Sequence, residues 1–245
     1  MKKITKRFFD ISISAVALIF FSPLLVFVST LVFLQDFENP FYISERVGKN
    51  KKIFKMIKIR SMIYNADKTG VYSTSASDQR ITYLGKLIRK TKLDELSQLI
   101  NVLYGNMSLV GPRPNVIEEV ELYSNTEKKL LIVKPGITDF ASIVFSDEAE
   151  IIKDSLNPDL KYNQLIRPGK SYLGLFYIEK MNIFLDIFLC FLTVIAIFSK
   201  KISLKVLNKL LLYLNADQDI ISIASREKEL IPMPPPGKDK VVSSR

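Results

Sequence analysis

Apolar and polar positions are unevenly distributed along this chain, and the longest apolar run comes first. From Ile11 to Leu34 the sequence is almost without polarity, long enough to cross a bilayer at roughly 20 residues per crossing. It also exceeds the roughly 7 to 15 apolar residues of a secretory signal. Ser22-Pro23 interrupts it near the middle; proline removes a helix hydrogen bond and clashes with the preceding turn, so the pattern predicts helix, break, helix. Ser22 can cover part of the freed backbone. Lys2, Lys3, Lys6 and Arg7 precede the run, and Arg46, Lys49, Lys51 and Lys52 follow it. By the positive-inside rule both flanks then face the cytoplasm, and the expectation is a re-entrant segment rather than a spanning helix.

Past Glu38 the pattern becomes that of a soluble domain. Pro40 to Met62 reads as two short strands and a turn, with alternation putting Lys58 and Arg60 on one strand face. Tyr64 to Gln79, with Gly70 and several Ser and Thr, reads as a loop, and Arg80 to Arg89 as a basic helix. Leu93, Leu96, Leu99, Ile100 and Leu103 recur at helical steps, predicting one amphipathic helix from Thr91 to Leu103 that Gly105 ends. Thr91 stands three residues before Asp94, as in a capping box, so Asp94 and Glu95 are expected in the first turn, with Gln98 and Asn101 on the face of Asp94. Asp147 to Arg167 reads as helix and loop, broken by Pro168-Gly169-Lys170. Met181 to Phe198 is nearly all apolar around Asp186 and could form a second spanning helix; its buried-looking acid, with the resemblance set out below, implies instead a helix along the membrane surface or beneath the domain. Lys200 to Asn215 follows as a basic amphipathic helix, either interfacial or core, with Ile202, Val206, Leu207, Leu210, Leu211 and Leu214 on its apolar face. The proline-rich tail is expected to have no fold. These elements divide the chain into a membrane segment (1–38), a catalytic domain (39–200), a C-terminal amphipathic helix (201–230) and a tail (231–245). The fold class is α+β.

Charge and composition narrow the chemistry. Lys and Arg total 35 against 25 Asp and Glu, a formal charge of +10, which points to an anionic partner. With no histidine, a Ser-His-Asp triad and an imidazole base are excluded, so acid-base or nucleophilic work falls to Asp, Glu, Lys or Tyr. The one cysteine, Cys190, lies in an apolar run and reads as a packed thiol. Two sites then stand out. Asp94-Glu95 sets two carboxylates in a basic chain, where a helix start would favour the ionised form. Arg113 is clamped between Pro112 and Pro114, which presents its guanidinium from a stiff turn suited to phosphate. Alone, each has a bland alternative, a capped helix and a rigid turn. A non-catalytic basic protein binding anionic lipid or partner proteins is the competing reading. A nucleic-acid binder is disfavoured by the absence of tryptophan and of a basic-aromatic stripe.

Taken in order, Lys6-Arg7-Phe8-Phe9-Asp10, the run with Ser22-Pro23, Glu45-Arg46-Val47-Gly48, Lys58-Ile59-Arg60-Ser61-Met62, Leu93-Asp94-Glu95-Leu96, Met107 to Pro114 and Lys134-Pro135-Gly136-Ile137-Thr138 resemble the bacterial sugar transferases, in particular their monotopic phosphoglycosyl transferases. Asp139 stands where many relatives carry glycine, and Ser97 where many carry proline. The resemblance covers roughly residues 1 to 200. It implies transfer of a sugar-1-phosphate from a nucleotide-diphosphate sugar, expected to be a UDP-sugar, to polyprenyl phosphate at the cytoplasmic face of the inner membrane, starting assembly of a surface glycan. By that resemblance Asp94 is the nucleophile and Glu95 its metal or orienting partner, both bearing on Mg2+. Arg89 and Arg113 would meet phosphate oxygens, with Arg46, Lys58, Arg60 and Arg80 in support. Self-association is left open, and the sugar is not specified.

Overall fold

The computed structural model describes residues 3–69 and 73–243; Lys2 and Gly70 lie outside them. The chain opens with α1 (Lys3–Asp36), 34 residues with Pro23 inside, about 50 Å of helix at 1.5 Å per residue. The break expected at Ser22-Pro23 is absent. The carbonyl that a residue without N–H at 23 leaves unpaired is that of Ile19, and the Ser22 hydroxyl donates to it at 2.9 Å, so the helix continues past the proline. Its middle exposes Ile19, Phe20, Val26 and Phe27, whereas Val28 and Val32 are buried against Ile59 and Ile88.

Both ends of α1 are tied to the rest of the protein. Lys6 donates to Asp186 at 2.5 Å and to the Val110 carbonyl at 3.1 Å, and Arg7 to the carbonyls of Val102 and Leu103. Asp10 accepts from Ser108 Oγ and the Leu109 N–H. At the other end Asp36 pairs with Arg60 through both oxygens, at 2.5 and 2.6 Å.

The expected hairpin forms as β1 (Phe41–Val47) and β2 (Ile53–Ile59), antiparallel with Tyr42 opposite Lys58 and Arg46 opposite Phe54. Next come α2 (Tyr83–Lys90) and α3 (Gln98–Tyr104), the latter ended by Gly105 at φ 84°. The strands β3 (Ser108–Val110) and β4 (Gly136–Thr138) pair in parallel, flanking α4 (Ile117–Glu121). Seven further helices follow: α5 (Phe140–Val144), α6 (Glu148–Ile151), α7 (Pro158–Leu165), α8 (Arg167–Lys180), α9 (Ile183–Phe198), α10 (Lys200–Tyr213) and α11 (Gln218–Ser225). Pro168 does not break a helix. It sits in the first turn of α8, where its missing N–H costs no helical bond.

One core joins these elements, with Val102, Phe140, Phe145, Leu173 and Leu189 packed together with Leu207, Leu211 and Ile223 of α10 and α11. Each such buried side chain contributes about 1.5 to 3 kcal/mol, so 201–230 shares the domain's core. On α9, Leu185, Leu189 and Leu192 face that core while Phe184, Phe191 and Phe198 are exposed. At 16 residues it is about 24 Å long, short of a bilayer core of about 30 Å. On α10 Leu207 and Leu211 are buried as expected, but Ile202 is exposed.

The tail, expected without fold, lies across the domain. Pro235 and Pro236 are buried, Ser124 Oγ donates to the Pro236 carbonyl, the Met233 N–H donates to Gln164 O at 3.2 Å, and Gln164 donates back to Val242 O at 2.8 Å. Prolines here lose little entropy on ordering, which composition alone does not register.

Candidate active site

The segment Thr91–Leu103 is not one helix. Thr91 caps the C-terminus of α2, its hydroxyl donating to Leu87 O at 2.8 Å, and Lys92 turns the chain with φ 58° into a single 3-10 turn, Leu93–Glu95. The carboxylates therefore come from a tight turn between two helices, and Thr91 does not cap them. Two polar side chains fix this turn against the hairpin. Asn101 accepts from the Ile57 N–H at 2.9 Å and donates to Lys55 O at 2.7 Å, and Ser97 Oγ donates to Ile57 O at 3.1 Å. They take up hydrogen bonds that the edge of β2 would otherwise leave open. Lys58, next along β2, is thereby set over the acidic pair.

Its ammonium lies 3.7 Å from Asp94 Oδ2 and 3.6 Å from Glu95 Oε1. Arg113 grips Glu95 with both terminal nitrogens, Nη1 at 3.1 Å from Oε2 and Nη2 on Oε1. The turn holding Arg113 is built on a glycine contact: the Gly136 N–H donates to Pro112 O at 3.0 Å, and a Cβ on Gly136 would stand 2.1 Å from the Gly111 nitrogen. Asp94 is 7% exposed, and its Oδ1 is buried without a hydrogen-bond partner among the described residues.

The adjacent carboxylates are thus electrostatically unlike. Burial raises Asp94 above the ordinary aspartate value; Lys58 opposes this and the Glu95 charge adds to it. Burial also works against ionised Glu95, but Arg113 and Lys58 outweigh it and hold that carboxyl well below its usual range. Glu95 is a fixed anion and Asp94 a desolvated one with a free oxygen, which suits the latter to nucleophilic attack. Removing Lys58 removes the charge that restrains Asp94. Lys58→Gln is expected to move the acid limb of a pH–rate profile to higher pH, because activity needing ionised Asp94 is lost as pH falls through its pKa. An unmoved limb would detach that limb from Asp94.

Arg46 and Arg89 lie within electrostatic reach, Arg46 of Lys58 and Arg113, and Arg89 of Asp94. Two expected phosphate ligands are committed elsewhere. Arg60 is buried on Asp36 and the Asn39 carbonyl, and Arg80 forks onto Asp78 and donates to Ala66 O at 3.0 Å. In each case a nearby carboxylate with fitting geometry takes the guanidinium. Gln98 is buried with its amide unpartnered among the described residues, and Asn101 serves the hairpin. Sequence reasoning missed Lys170 and Glu148, an ion pair electrostatically coupled to Arg113. Burial disfavours ionised Glu148, yet Lys170 and Arg113 bring its pKa down to about 2. Nothing in the acidic stretch Asp147 to Glu150 distinguishes that carboxylate beforehand. Among the described residues no group of three or more His, Cys, Asp or Glu side chains could hold a metal.

The profile of the bacterial sugar transferases matches residues 1–200. The chain belongs to that family. The chain is 32% identical to the exopolysaccharide production protein ExoY of Rhizobium meliloti over 207 residues, covering 78% of this chain and 84% of that one. It is 31% identical to the UDP-N-acetylgalactosamine-undecaprenyl-phosphate N-acetylgalactosaminephosphotransferase of Aeromonas hydrophila, covering 77% and 42%. With the UDP-glucose:undecaprenyl-phosphate glucose-1-phosphate transferase of Klebsiella pneumoniae the identity is 34%, covering 80% and 40%. The chain thus spans less than half the length of these last two relatives.

Proposed function

We propose that the transferase moves a sugar-1-phosphate from a nucleotide-diphosphate sugar to polyprenyl phosphate through a covalent aspartyl intermediate. The observation that carries this reading is the buried Oδ1 of Asp94, without a hydrogen-bond partner among the described residues, beside a neighbour locked by Arg113. An Asp94 oxygen attacks the phosphorus next to the sugar; the bond from that phosphorus to the nucleoside phosphate breaks, and nucleoside monophosphate leaves. An oxygen of polyprenyl phosphate then attacks the same phosphorus and the aspartyl bond breaks, regenerating the carboxylate and giving a polyprenyl diphosphosugar. No proton need be taken, which fits a chain without histidine. Lys58, Arg46 and Arg89 would balance the charge on the phosphates, with Arg113 reaching them only by sharing the guanidinium that holds Glu95. A purely lipid-binding role leaves the desolvated carboxylate without a purpose. The names of the Aeromonas and Klebsiella relatives support the substrate classes and a UDP donor. The test is to supply purified protein with a panel of nucleotide sugars and follow monophosphate release with and without polyprenyl phosphate. Release from no donor would refute the reading.

Mg2+ fits the donor set. It keeps several waters and binds through one or two carboxylates plus substrate phosphate, and Asp94 Oδ1 is a hard oxygen without a hydrogen-bond partner among the described residues. Asp94 would hold it, with Glu95 reaching it only by sharing the carboxylate that Arg113 grips. Bound there, the ion would supply charge neutralisation at the diphosphate.

That both ends of α1 lie on one side of the membrane draws support from its two tethers. A helix bonded to one domain through Lys6, Arg7 and Asp10 at one end and Asp36 at the other keeps both ends on the side of the membrane that holds that domain, here read as the cytoplasmic face of the inner membrane. The exposed phenylalanines of α9 would rest in the same interface. Single cysteines at Ile4 and at Asn50, in a Cys190→Ser background, are expected to label from the same side in intact cells. Opposite sides would sink this topology.

A further inference from the structure

The first turn of α3 carries a polar side chain that neither the fold nor the reaction described above uses. Gln98 is 1% exposed, and neither its Nε2 nor its Oε1 meets a partner among the described residues. Its neighbours differ from it. Ser97 and Asn101 are as deeply buried, but Ser97 Oγ donates to Ile57 O, and Asn101 accepts from the Ile57 N–H and donates to Lys55 O, so both are committed to β2. An amide buried with both ends unbonded costs stability. An apolar side chain of the same length would fill that space without the cost.

The position of Gln98 restricts what it can reach. Leu96 and Ser97 have right-handed helical dihedrals, the Leu96 N–H donates to Leu93 O and the Leu99 N–H to Leu96 O, so the chain keeps a helical path from the 3-10 turn into α3. Gln98 stands three residues after Glu95 and four after Asp94, the two spacings at which side chains on successive turns meet and a glutamine amide can bond a carboxylate. Glu95 has no oxygen to spare, since Arg113 holds both and Lys58 stands 3.6 Å from Oε1. Asp94 has one. Its Oδ2 faces Lys58 at 3.7 Å, while Oδ1 is buried without a hydrogen-bond partner among the described residues. An unbonded donor thus lies one turn from an unbonded acceptor, and no hydrogen bond joins them in this structure.

We infer that Gln98 is a positioning residue for Asp94, its amide N–H donating to the oxygen of that carboxylate which does not attack. The inference rests on the proposed activity. As one Asp94 oxygen bonds to phosphorus and the bond from phosphorus to the nucleoside phosphate breaks, the other oxygen becomes the carbonyl of an acyl phosphate. A donor one turn away fixes that oxygen and so aims the first at the phosphorus. Because amide and carboxylate are unjoined beforehand and joined as attack proceeds, the bond raises the rate without tightening the binding of the nucleotide sugar. No proton passes through Gln98.

The test uses the full chain in lipid nanodiscs and the nucleotide sugar that wild type turns over fastest. Without lipid acceptor, a single round of monophosphate release is followed over a range of donor concentrations, which gives a maximal rate and a half-saturating concentration; melting temperatures are read beside them. Gln98→Met keeps the length of the side chain and removes the N–H. It is expected to lower the maximal rate about ten- to hundredfold, the range for a hydrogen bond to a charged group, with the half-saturating concentration unchanged. It should melt no lower than wild type, since it removes an unbonded buried amide. An unchanged maximal rate overturns the inference, as does a raised half-saturating concentration at wild-type rate, which would put the amide on the nucleotide sugar itself. A lower melting temperature overturns it too, because the amide then holds the fold. If Gln98→Met does not fold, Gln98→Leu is read by the same three measures, and failure of both to fold overturns the inference for the same reason. A wild type that releases monophosphate from no donor refutes the proposed activity and the inference with it, whereas an active wild type matched by an equally active Gln98→Met overturns the inference alone.

Discussion

Asp94→Asn is expected to lower nucleoside monophosphate release by about a thousandfold or more, as removal of a covalent nucleophile does. The amide keeps the shape of the side chain but cannot attack phosphorus. The same substitution should raise the melting temperature at neutral pH. Burial holds the folded-state pKa of Asp94 above its unfolded value, so the folded state binds this proton more tightly, and the stability linked to it is lost as pH rises through the raised pKa. At neutral pH the ionised carboxylate therefore costs stability, and Asn relieves that cost. Below the unfolded pKa the difference should vanish. An inactive but less stable variant would mean that Asp94 serves the fold. Melting curves of both proteins across pH, beside monophosphate release, separate these outcomes.

The largest loss of stability is expected from Arg167→Ala. Arg167 is 1% exposed and donates to both oxygens of Glu127, at 3.1 and 3.0 Å, and to Asn163 at 2.7 Å. Glu127, itself fully buried, also accepts from Ser171 Oγ and the Ser124 N–H. Removing the guanidinium strands a buried carboxylate at a cost of about 3 to 5 kcal/mol, which lowers the melting temperature by roughly 10 °C in a domain of this size. Arg167→Met with Glu127→Gln removes both charges and should recover part of the loss. A change below 1 °C in Arg167→Ala would show that the pair is not the structural bond described.

Why the sequence foretold some of this and not the rest comes down to the range over which each residue acts. The hairpin was legible because alternation is local, and the acidic pair, Lys58 and Arg113 because each stands in a short run of informative neighbours. The three-residue strands β3 and β4 were missed, since a parallel pair that short carries no period. The Thr91–Leu103 helix was over-read because the apolar steps of α3 also fit the 3-10 turn before it; only the left-handed Lys92 separates α2 from that turn. Arg60, Arg80 and Arg113 each pair with a carboxylate, and only the partner of Arg113, Glu95, belongs to the acidic pair; which acid each arginine takes is not written in its own neighbours. Pro23 is the converse case, its effect on α1 being decided by the hydroxyl of the residue before it.

The central claim is a phosphosugar carried on Asp94. Wild-type protein is mixed with a donor labelled in the sugar, without lipid acceptor, then quenched, digested and the label mapped by mass spectrometry. The account predicts one equivalent of released nucleoside monophosphate, label on the peptide holding Asp94, and its discharge into lipid when polyprenyl phosphate is added before the quench. Monophosphate released only when the lipid is present, with no label on the protein, would contradict it and point to direct attack by the lipid phosphate within a ternary complex.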